Sequence, residues 1–250
     1  MRKLSVVIIA FNEAANIGAC IDSVKEIADD IVVVDSGSKD GTQELAGNIG
    51  ARVVYHAFEG HIEQKNWAIT QAKYSFVLSL DADEKLSSEL ATSILKTKVE
   101  NEEAYSMNRL NFYGGKAIKT CGLYPDRKLR LWESSKGKWT GANPHDKFEV
   151  EKGVGIKHLE GDILHNTFPT HQDFLNQIEK FSSISAIQLK RKFVPVLFAK
   201  MLVNPVLRFI KIYFLKAGII DGHTGWLICY HFSREVFLKY FKALKLKFDL

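Results

Sequence analysis

The sequence has few cysteines and no long apolar run. Its three cysteines, Cys20, Cys121 and Cys229, are too few and too far apart for a disulfide framework, and no CxxC or Cys/His spacing indicates zinc. No segment approaches the roughly 20 consecutive apolar residues of a helix that spans a membrane. We therefore expect a chain that stays in the reducing environment of the cytoplasm.

Two glycine-rich nucleotide-binding motifs are also missing. Neither GxGxxG after the first predicted strand nor GxxxxGK[ST] occurs in the chain. Each of these motifs brings backbone N–H groups close to phosphate at the start of a helix. Their absence disfavours a dinucleotide-dependent dehydrogenase and a P-loop NTPase. A metal ion held by aspartate is the other way to neutralise a diphosphate.

The composition is sufficient for a substantial core. Of the 250 residues, 46% are hydrophobic and 25% are charged, which excludes a disordered chain or a fibre. The net charge of +5 is unevenly distributed, because residues 190–250 carry twelve Lys or Arg and only three acids. The rest of the chain holds 22 basic and 26 acidic residues, so its two parts differ in electrostatic character.

The first part of the chain alternates short β-branched runs with helical patterns. Because the runs are apolar throughout, they indicate strands buried on both faces, joined by crossover helices into a mostly parallel sheet. Residues 105–165 predict an irregular mixture of strands and loops, and the pattern becomes helical from about 170. The predicted strands are 4–10, 31–35, 52–55 and 76–80, and the predicted helices lie near 14–27, 41–49, 61–73 and 87–97.

Polar residues follow three of these strands, at the sheet edge where α/β proteins bind ligands. Asp81, Asp83 and Glu84 come directly after the fourth strand. Two alternating carboxylates suit Mg²⁺ or Mn²⁺ bridging to phosphate oxygens. They equally suit a helix N-terminus, where acids complement the dipole and cap N–H groups. The motif alone leaves both interpretations open.

The second strand ends in the same way, with the segment Asp35-Ser-Gly-Ser-Lys-Asp-Gly41. A Ser-, Gly- and Asp-rich turn before a capped helix accounts for it without any function. The coincidence of two acid-terminated strands with a polar end of the first strand, Asn12-Glu13, favours a nucleotide-binding cleft instead.

These motifs together resemble the family 2 glycosyltransferases of the GT-A fold. The segments Val6–Glu13, Ile31–Thr42 and Val77–Glu84 occur in the family's order and spacing. Within that family the chain is most similar to the lipopolysaccharide-core glucosyltransferase group, which is echoed at 64–68, 130–132, 139–146 and 164–165. The implied fold is an α/β, Rossmann-like, mostly parallel sheet flanked by helices, here with a C-terminal helical extension that is basic and apolar.

The resemblance implies how a UDP-sugar donor is bound. Phe11 and Glu13 would border the base and ribose, and Asp35 would contact the uracil. Lys65 matches the family's basic residue near the diphosphate. Asp81 would hold the ribose or the metal. The first strand ends in Ala10-Phe11 instead of the usual Pro-Thr-Tyr, which removes a side-chain hydroxyl from that position.

The resemblance also implies the metal ligands and the catalytic base. Asp83 would bind the divalent metal, and His165 would complete its shell, touch the diphosphate or serve a structural role. Asp146 would take the proton from the acceptor hydroxyl in a single inverting displacement. Glu160 and Asp162 are rival candidates for this base.

The segment from 193 to 216 mixes large apolar residues with cations at near-helical intervals. Lys200, Arg208, Lys211 and Lys216 could reach anionic head groups while the apolar side chains meet acyl chains. Packing on the catalytic domain, with the cations in water, explains the same pattern. The lack of a recognisable binding module argues against nucleic acid.

The sequence therefore predicts a cytoplasmic enzyme that uses Mg²⁺ or Mn²⁺ and UDP-sugar to glycosylate a glycolipid or lipopolysaccharide-core acceptor. Its tail would place it peripherally on the inner face of the cytoplasmic membrane, against anionic lipid. The predicted segments are 1–110 for the nucleotide-sugar, 111–185 for the acceptor and base, and 186–250 for the tail. A sugar nucleotidyltransferase and a non-catalytic membrane-associated scaffold of the same fold are the alternatives.

Overall fold

A computed structural model describes residues 1–98, 104–142 and 145–248. The chain divides into two compact units. Unit 1 consists of Met1–Arg109 and Asp126–His165, and unit 2 consists of Leu110–Pro125 and Asn166–Leu250. The sequence-based division into three functional segments stays a prediction, because compact packing does not show which ligand each segment serves.

The described residues form eleven strands and seven α-helices. The strands are β1 (Leu4–Ala10), β2 (Asp30–Asp35), β3 (Arg52–Tyr55), β4 (Phe76–Asp81), β5 (Glu84–Leu86), β6 (Ala104–Tyr113), β7 (Lys116–Ile118), β8 (Asp126–Glu133), β9 (Gly137–Ala142), β10 (His145–Val150) and β11 (Ile156–Phe168). The helices are α1 (Ile17–Asp22), α2 (Thr42–Asn48), α3 (His61–Thr70), α4 (Ser88–Thr97), α5 (His171–Leu189), α6 (Val194–Ile210) and α7 (Gly222–Lys245).

Four parallel strands, in the order β3-β2-β1-β4, form the part of the sheet that the sequence predicts best. Alternate residues of β1 enter different cores: Leu4 and Ile8 pack with α1, while Val7 packs with Ala68 of α3. Burial on both faces explains why these strands are continuous apolar runs. The four predicted strands agree with β1 to β4 to within one residue at each end.

The sheet continues through antiparallel strands that the sequence did not resolve. Beyond β4 the order is β8, β6, β11 and β5, with β7 paired to residues 111–113 of β6, and β9 and β10 form a separate hairpin. These strands pair over long sequence separations, so local patterns carry little information about their partners. The expected α/β fold, with helices flanking a Rossmann-like parallel part of the sheet, is confirmed.

The strand β11 is fixed against the start of α4 at a glycine. Gly161 has φ of +91°, and a Cβ there would lie 2.3 Å from the backbone N of Leu90. The Ser87 hydroxyl caps α4 by accepting from the N–H of Leu90, and it also accepts from the N–H of Asp162 at 3.1 Å. These contacts fix the position of β11, the strand that carries His165.

Two tryptophans lie in a small aromatic core of unit 1. Trp132 is fully buried and Trp139 is almost so, and both rings contact Phe148, with centroid distances of 3.8 and 5.5 Å. The backbone of Trp139 exchanges two hydrogen bonds with the Asn66 side chain of α3, each 2.9 Å long. The β9–β10 hairpin is thereby joined to α3.

Unit 2 contains the three long helices, which confirm the helical C-terminal extension. The last of them, α7, packs against both α5 and α6. Phe174, Ile178 and Ile228 belong to one of its buried clusters, and Leu197 and Tyr240 belong to another. Within the described part of the chain, we find no helix with the length and apolarity needed to cross a membrane.

Acid should weaken unit 2 through a histidine of α7. Burial lowers the pKa of His231, and the nearby charges of His171 and Arg234 lower it further. The unfolded chain therefore takes up a proton at a higher pH than the folded protein does. The free energy of unfolding should have its full value above the ordinary histidine pKa of 6.5 and should decrease as the pH drops below it.

Urea unfolding at pH 7.5 and 5.5 measures this loss. His231→Leu should reduce the acid-dependent difference, whereas His223→Leu, at an exposed position of the same helix, should leave it unchanged. Equal acid sensitivity of the wild type and both variants would contradict the assignment.

Candidate active site

The carboxyl ends of β1, β2 and β4 lie side by side at one edge of the sheet. Ala10 pairs with Asp35, and Ile9 pairs with Asp81, so the loops that follow these strands are neighbours. The first two loops are linked directly: the N–H of Asn12 donates to the Ser38 hydroxyl at 2.7 Å. The polar segments singled out in the sequence are therefore brought together as predicted.

The end of β1 presents one aromatic and one acidic side chain. Phe11 is 58% exposed, which leaves an apolar ring accessible at the sheet edge. The N–H of Glu13 donates to Thr42 Oγ1 at 2.8 Å, and its carboxylate accepts from Asn16. Burial raises the pKa of Glu13, and the negative charge of Asp83 adds to this rise against the opposing hydrogen bond from Asn16.

Asp35 holds the turn after β2. It is fully buried, and its Oδ1 accepts from the N–H groups of Gly37 and Ser38, each at 2.9 Å, and from Gln43 Nε2 at 2.6 Å. Its Oδ2 accepts from the Ser38 hydroxyl. Each carboxylate oxygen has about two acceptor positions, so the turn fills Oδ1 and leaves about one position on Oδ2.

Lys65 lies between two carboxylates that are distant in sequence. Its Nζ is 3.2 Å from Asp81 Oδ1 and 2.8 Å from Asp146 Oδ2. It also lies 4.5 Å from the ring centre of Trp139, a distance at which a cation is attracted to the aromatic face. The side chain of Lys65 is 5% exposed, whereas the carboxylates on either side of it are partly accessible, Asp81 at 24% and Asp146 at 17%.

The chain of alternating charges continues inward through residues whose roles the sequence analysis missed. Arg130 of β8 contacts Asp81 at 3.2 Å and Glu84 at 2.8 Å, and Arg109 of β6 links Glu84 to Asp126. Arg130 and Glu84 are both buried. One sequence signal for Arg130 was available: apolar residues follow it in the same strand, which indicates burial. A buried cation requires an acidic partner.

The buried cations keep Asp81 ionised. Burial alone would raise the pKa of Asp81, but the charges of Lys65 and Arg130 outweigh it and hold that pKa far below its usual range. Burial would lower the pKa of Arg130, and the carboxylates of Glu84 and Asp81 raise it instead. Both shifts favour the charged forms of Asp81 and Arg130.

Asp83 and His165 form a second pair at the same edge. His165 Nε2 lies 3.0 Å from Asp83 Oδ2, and their side chains are 13% and 29% exposed. His165 reaches this position because β11 pairs with β5, with His165 opposite Glu84. One carboxylate and one imidazole thus stand together where a ligand can approach.

This pair fits a divalent cation that takes the rest of its shell from substrate. Among the described residues, no group of three or more His, Cys, Asp or Glu side chains is arranged to hold a metal. Mg²⁺ is commonly bound by one or two carboxylates together with substrate phosphates, and imidazole is an additional ligand suited to Mn²⁺ or Zn²⁺. The donor set is therefore incomplete without a phosphate-bearing ligand.

The rival base candidates lie on β11, whereas Asp146 lies on β10. Glu160 is exposed, and the backbone of Asp162 is bonded to Ser87 at the start of α4. The ion pairs of Lys65 are with Asp81 and Asp146. Residues 143 and 144 and the side chain of the neighbouring His145 lie outside the described residues.

Comparison with known proteins gives consistent results. The sequence profile described as Glycosyl transferase family 2 matches residues 5–148. An uncharacterized glycosyltransferase of Rickettsia typhi is 28% identical over 99% of this chain and 89% of its own length. The lipopolysaccharide core biosynthesis glycosyltransferase LpsC of Rhizobium meliloti is 28% identical over 97% of this chain and 94% of its own.

Solved structures give a more limited similarity. Glucosyl-3-phosphoglycerate synthase from Mycobacterium tuberculosis, crystallised with Mn²⁺, UDP and phosphoglyceric acid, is 27% identical to this chain. The match covers 45% of this chain and 43% of that one, with a TM-score of 0.38. The family match, in contrast, includes Phe11, Glu13, Asp35, Lys65, Asp81, Asp83 and Asp146, and it ends before His165 and the rival bases Glu160 and Asp162.

Proposed function

This chain belongs to glycosyl transferase family 2, and we propose that it moves a sugar, with inversion, from a UDP-sugar to a glycolipid or lipopolysaccharide-core acceptor. The family establishes that it is a glycosyltransferase. The name of the relative LpsC supports the class of acceptor. The observation that carries the reaction is the position of Asp146, a partly exposed carboxylate that is held by the buried Lys65.

Asp146 is the proposed general base. Its carboxylate accepts the proton of the acceptor hydroxyl, and the O–H electron pair forms the new bond to the anomeric carbon of the donor. The bond from that carbon to the UDP oxygen breaks, and its electron pair leaves with UDP. UDP departs as an anion without needing a proton, so one carboxylate is sufficient.

The donor would be bound at the ends of β1, β2 and β4. We assign Phe11 and Glu13 to the base and ribose, and Asp81 to the ribose or the metal. Asp35 would contact the uracil with the acceptor capacity that its turn leaves. Lys65 has three N–H donors, two of which face Asp81 and Asp146, so the third would serve the diphosphate.

Asp83 and His165 would hold the divalent metal, Mg²⁺ or Mn²⁺. When bound, the ion would neutralise charge on the diphosphate that leaves with UDP. Neutral His165 has a lone pair for the ion, and its present contact with Asp83 shows that both side chains reach one point.

We also place the enzyme in the cytoplasm, peripherally at the inner face of the cytoplasmic membrane, where a lipid-linked acceptor would be available. The partner in this placement is anionic lipid, contacted through the C-terminal tail. The acid-poor, basic composition of residues 190–250 supports it.

A screen of UDP-sugars for slow metal-dependent hydrolysis tests the donor assignment. One UDP-sugar should be hydrolysed faster than the others, and only in the presence of Mg²⁺ or Mn²⁺. No hydrolysis of any UDP-sugar, together with no UDP binding by calorimetry, would contradict the proposed reaction.

Asp83→Ala should remove the contribution of metal to UDP binding. We expect the Mn²⁺-dependent gain in UDP affinity to fall by at least about 10–100-fold, the range found even for indirect ligands of a metal. Calorimetry with and without Mn²⁺ measures it. Asp22→Ala, at a solvent-exposed aspartate of α1, is the matched control and should bind UDP as the wild type does. An unchanged metal response in Asp83→Ala would exclude Asp83 as a ligand.

A further inference from the structure

The helix α6 exposes an unusually apolar surface. Only Leu197 among its 17 residues is buried. Leu202 is 55% exposed and Val206 is 58% exposed, and large apolar side chains continue past the helix at Phe214 and Leu215. Contiguous exposed apolar surface of this kind marks a site of interaction with a protein or a membrane. The exposed apolar residues of the helix itself are Val196, Phe198, Leu202, Val203, Val206, Leu207 and Ile210.

The apolar and basic residues of α6 are segregated. Val196, Val203 and Ile210 recur every seven residues and therefore run along one line of the helix, with Leu202 and Val206 beside it. Lys200 and Lys211, eleven residues or about three turns apart, lie along one flank of this apolar face, whereas Arg208 lies on the same side of the helix as the buried Leu197. The outer face is thus an apolar surface with a cationic margin, the arrangement of helices that lie in a membrane interface.

The charge of the surrounding sequence selects the partner. Residues 180–220 contain eight Lys or Arg and no Asp or Glu. A second copy of the chain, packed face to face through α6, would bring these cations together without a counter-charge. A bilayer that contains anionic lipid supplies both acyl chains for the apolar face and negative charge for its margin.

The face is held in place before any partner arrives. The inner side of α6 packs on α7 through Leu197 and Met201, and Asn204 Nδ2 donates to the Tyr240 hydroxyl at 2.9 Å. Binding a membrane would therefore need no folding of this helix, which lowers the entropic cost of association.

The basic end of α7 is engaged differently. Lys242 donates to the Glu179 carboxylate and to the hydroxyls of Ser182 and Ser183 in α5, and Lys247 donates to the carbonyl of Lys192. These bonds direct the two ammonium groups into unit 2. The exposed Lys200 and Lys211, on the flank of the α6 face, are available to a lipid surface.

We infer that the outer face of α6 is the membrane-binding site of this protein, and that it inserts its apolar side chains into the interface of a bilayer rich in anionic lipid. The inference deepens the proposed function, on which the choice of a lipid partner rests. It is more specific than a general attraction of the basic tail, because it assigns binding to one helix face and requires both apolar and charged residues.

Co-sedimentation with vesicles tests the apolar requirement. The full chain should bind vesicles of phosphatidylcholine that contain about 30 mol% phosphatidylglycerol, and it should bind vesicles of pure phosphatidylcholine more weakly. Leu202→Glu and Val206→Glu should each weaken binding about tenfold or more, because burying a charged side chain opposes insertion. Leu95→Glu, at an exposed position of α4, is the matched control and should bind as the wild type does.

Charge reversal tests the assignment to α6. Lys200→Glu with Lys211→Glu should weaken binding to the anionic vesicles about tenfold or more, whereas Lys245→Glu with Lys247→Glu should have a much smaller effect. A larger effect at the end of α7, or retained vesicle binding in Leu202→Glu and Val206→Glu, would overturn the inference. Dispersal of a wild-type dimer by the α6 variants, without any change in vesicle binding, would assign the face to a second copy instead.

This test is independent of the sugar chemistry. If the α6 variants lose vesicle binding but keep metal-dependent hydrolysis of the UDP-sugar, the membrane site and the reaction are both supported. If no donor is hydrolysed but vesicle binding behaves as expected, the proposed reaction fails and the membrane site stands.

Discussion

Asp146→Asn is expected to lower turnover by roughly 100- to 10,000-fold, the usual contribution of a positioned general base, while leaving UDP binding unchanged. The amide keeps the shape of the carboxylate and can still accept a hydrogen bond from Lys65, but it cannot take the proton of the acceptor hydroxyl. Steady-state transfer and calorimetric UDP binding, measured on the same preparation, separate the two effects.

The rival carboxylates provide the controls for this experiment. Asp162→Asn and Glu160→Gln change equivalent groups on β11, away from Lys65, and should leave turnover close to that of the wild type. Wild-type turnover in Asp146→Asn would remove Asp146 from the mechanism, and loss only in Asp162→Asn would transfer its role. A protein that binds UDP but neither transfers nor hydrolyses, and that is indifferent to all three changes, would be the scaffold alternative.

Arg130→Met should destabilise the protein by about 3–5 kcal/mol, the usual cost of removing one partner from a buried ion pair. The change preserves much of the side-chain volume but leaves Asp81 and Glu84 without the cation that contacts both. The buried carboxylate of Glu84 and the partly exposed carboxylate of Asp81 then have less compensation, so either the fold is weakened or one of them takes up a proton. Urea unfolding at neutral pH measures the loss.

A matched control and a double variant identify the cause. Arg127→Met, on the same strand but exposed, should change stability by no more than about 0.5 kcal/mol. Arg130→Met combined with Glu84→Gln removes both charges and should be less destabilised than the sum of the single changes by about 0.5–3 kcal/mol. Strict additivity would show that the two side chains do not interact and would contradict the geometry.

The same contacts connect stability to catalysis. Arg130 holds Asp81, Asp81 faces Lys65, and Lys65 bonds to Asp146, so the proposed base is positioned through two buried cations. Buried charges are costly to the fold, and they are retained where their orientation serves a reaction. A change at Arg130 should therefore disturb turnover even in the fraction of protein that stays folded.

The parallel half of the sheet was determined by the local sequence. Strands buried on both faces must be apolar throughout, and short crossover helices between them allow essentially one handedness, so β1 to β4 follow from the pattern itself. The carboxyl ends of such strands meet at one edge of the sheet, so the sequence alone predicts that Asp35, Asp81 and Asp83 lie close together. The helical nature of the C-terminal part followed in the same way from its periodicity.

Only the tertiary structure decided which charges meet. Lys65 and Asp146 are 81 residues apart, Arg130 and Glu84 are 46 apart, and His165 and Asp83 are 82 apart. The first pair depends on the contact of the β9–β10 hairpin with α3, and the other two depend on the antiparallel pairing of β8, β6, β11 and β5. Both arrangements are selected by packing over the whole unit and leave little trace in any local window. Packing also decided that Lys242 turns inward while the apolar face of α6 remains exposed, since a helical pattern gives the spacing of side chains but not the neighbour that covers them.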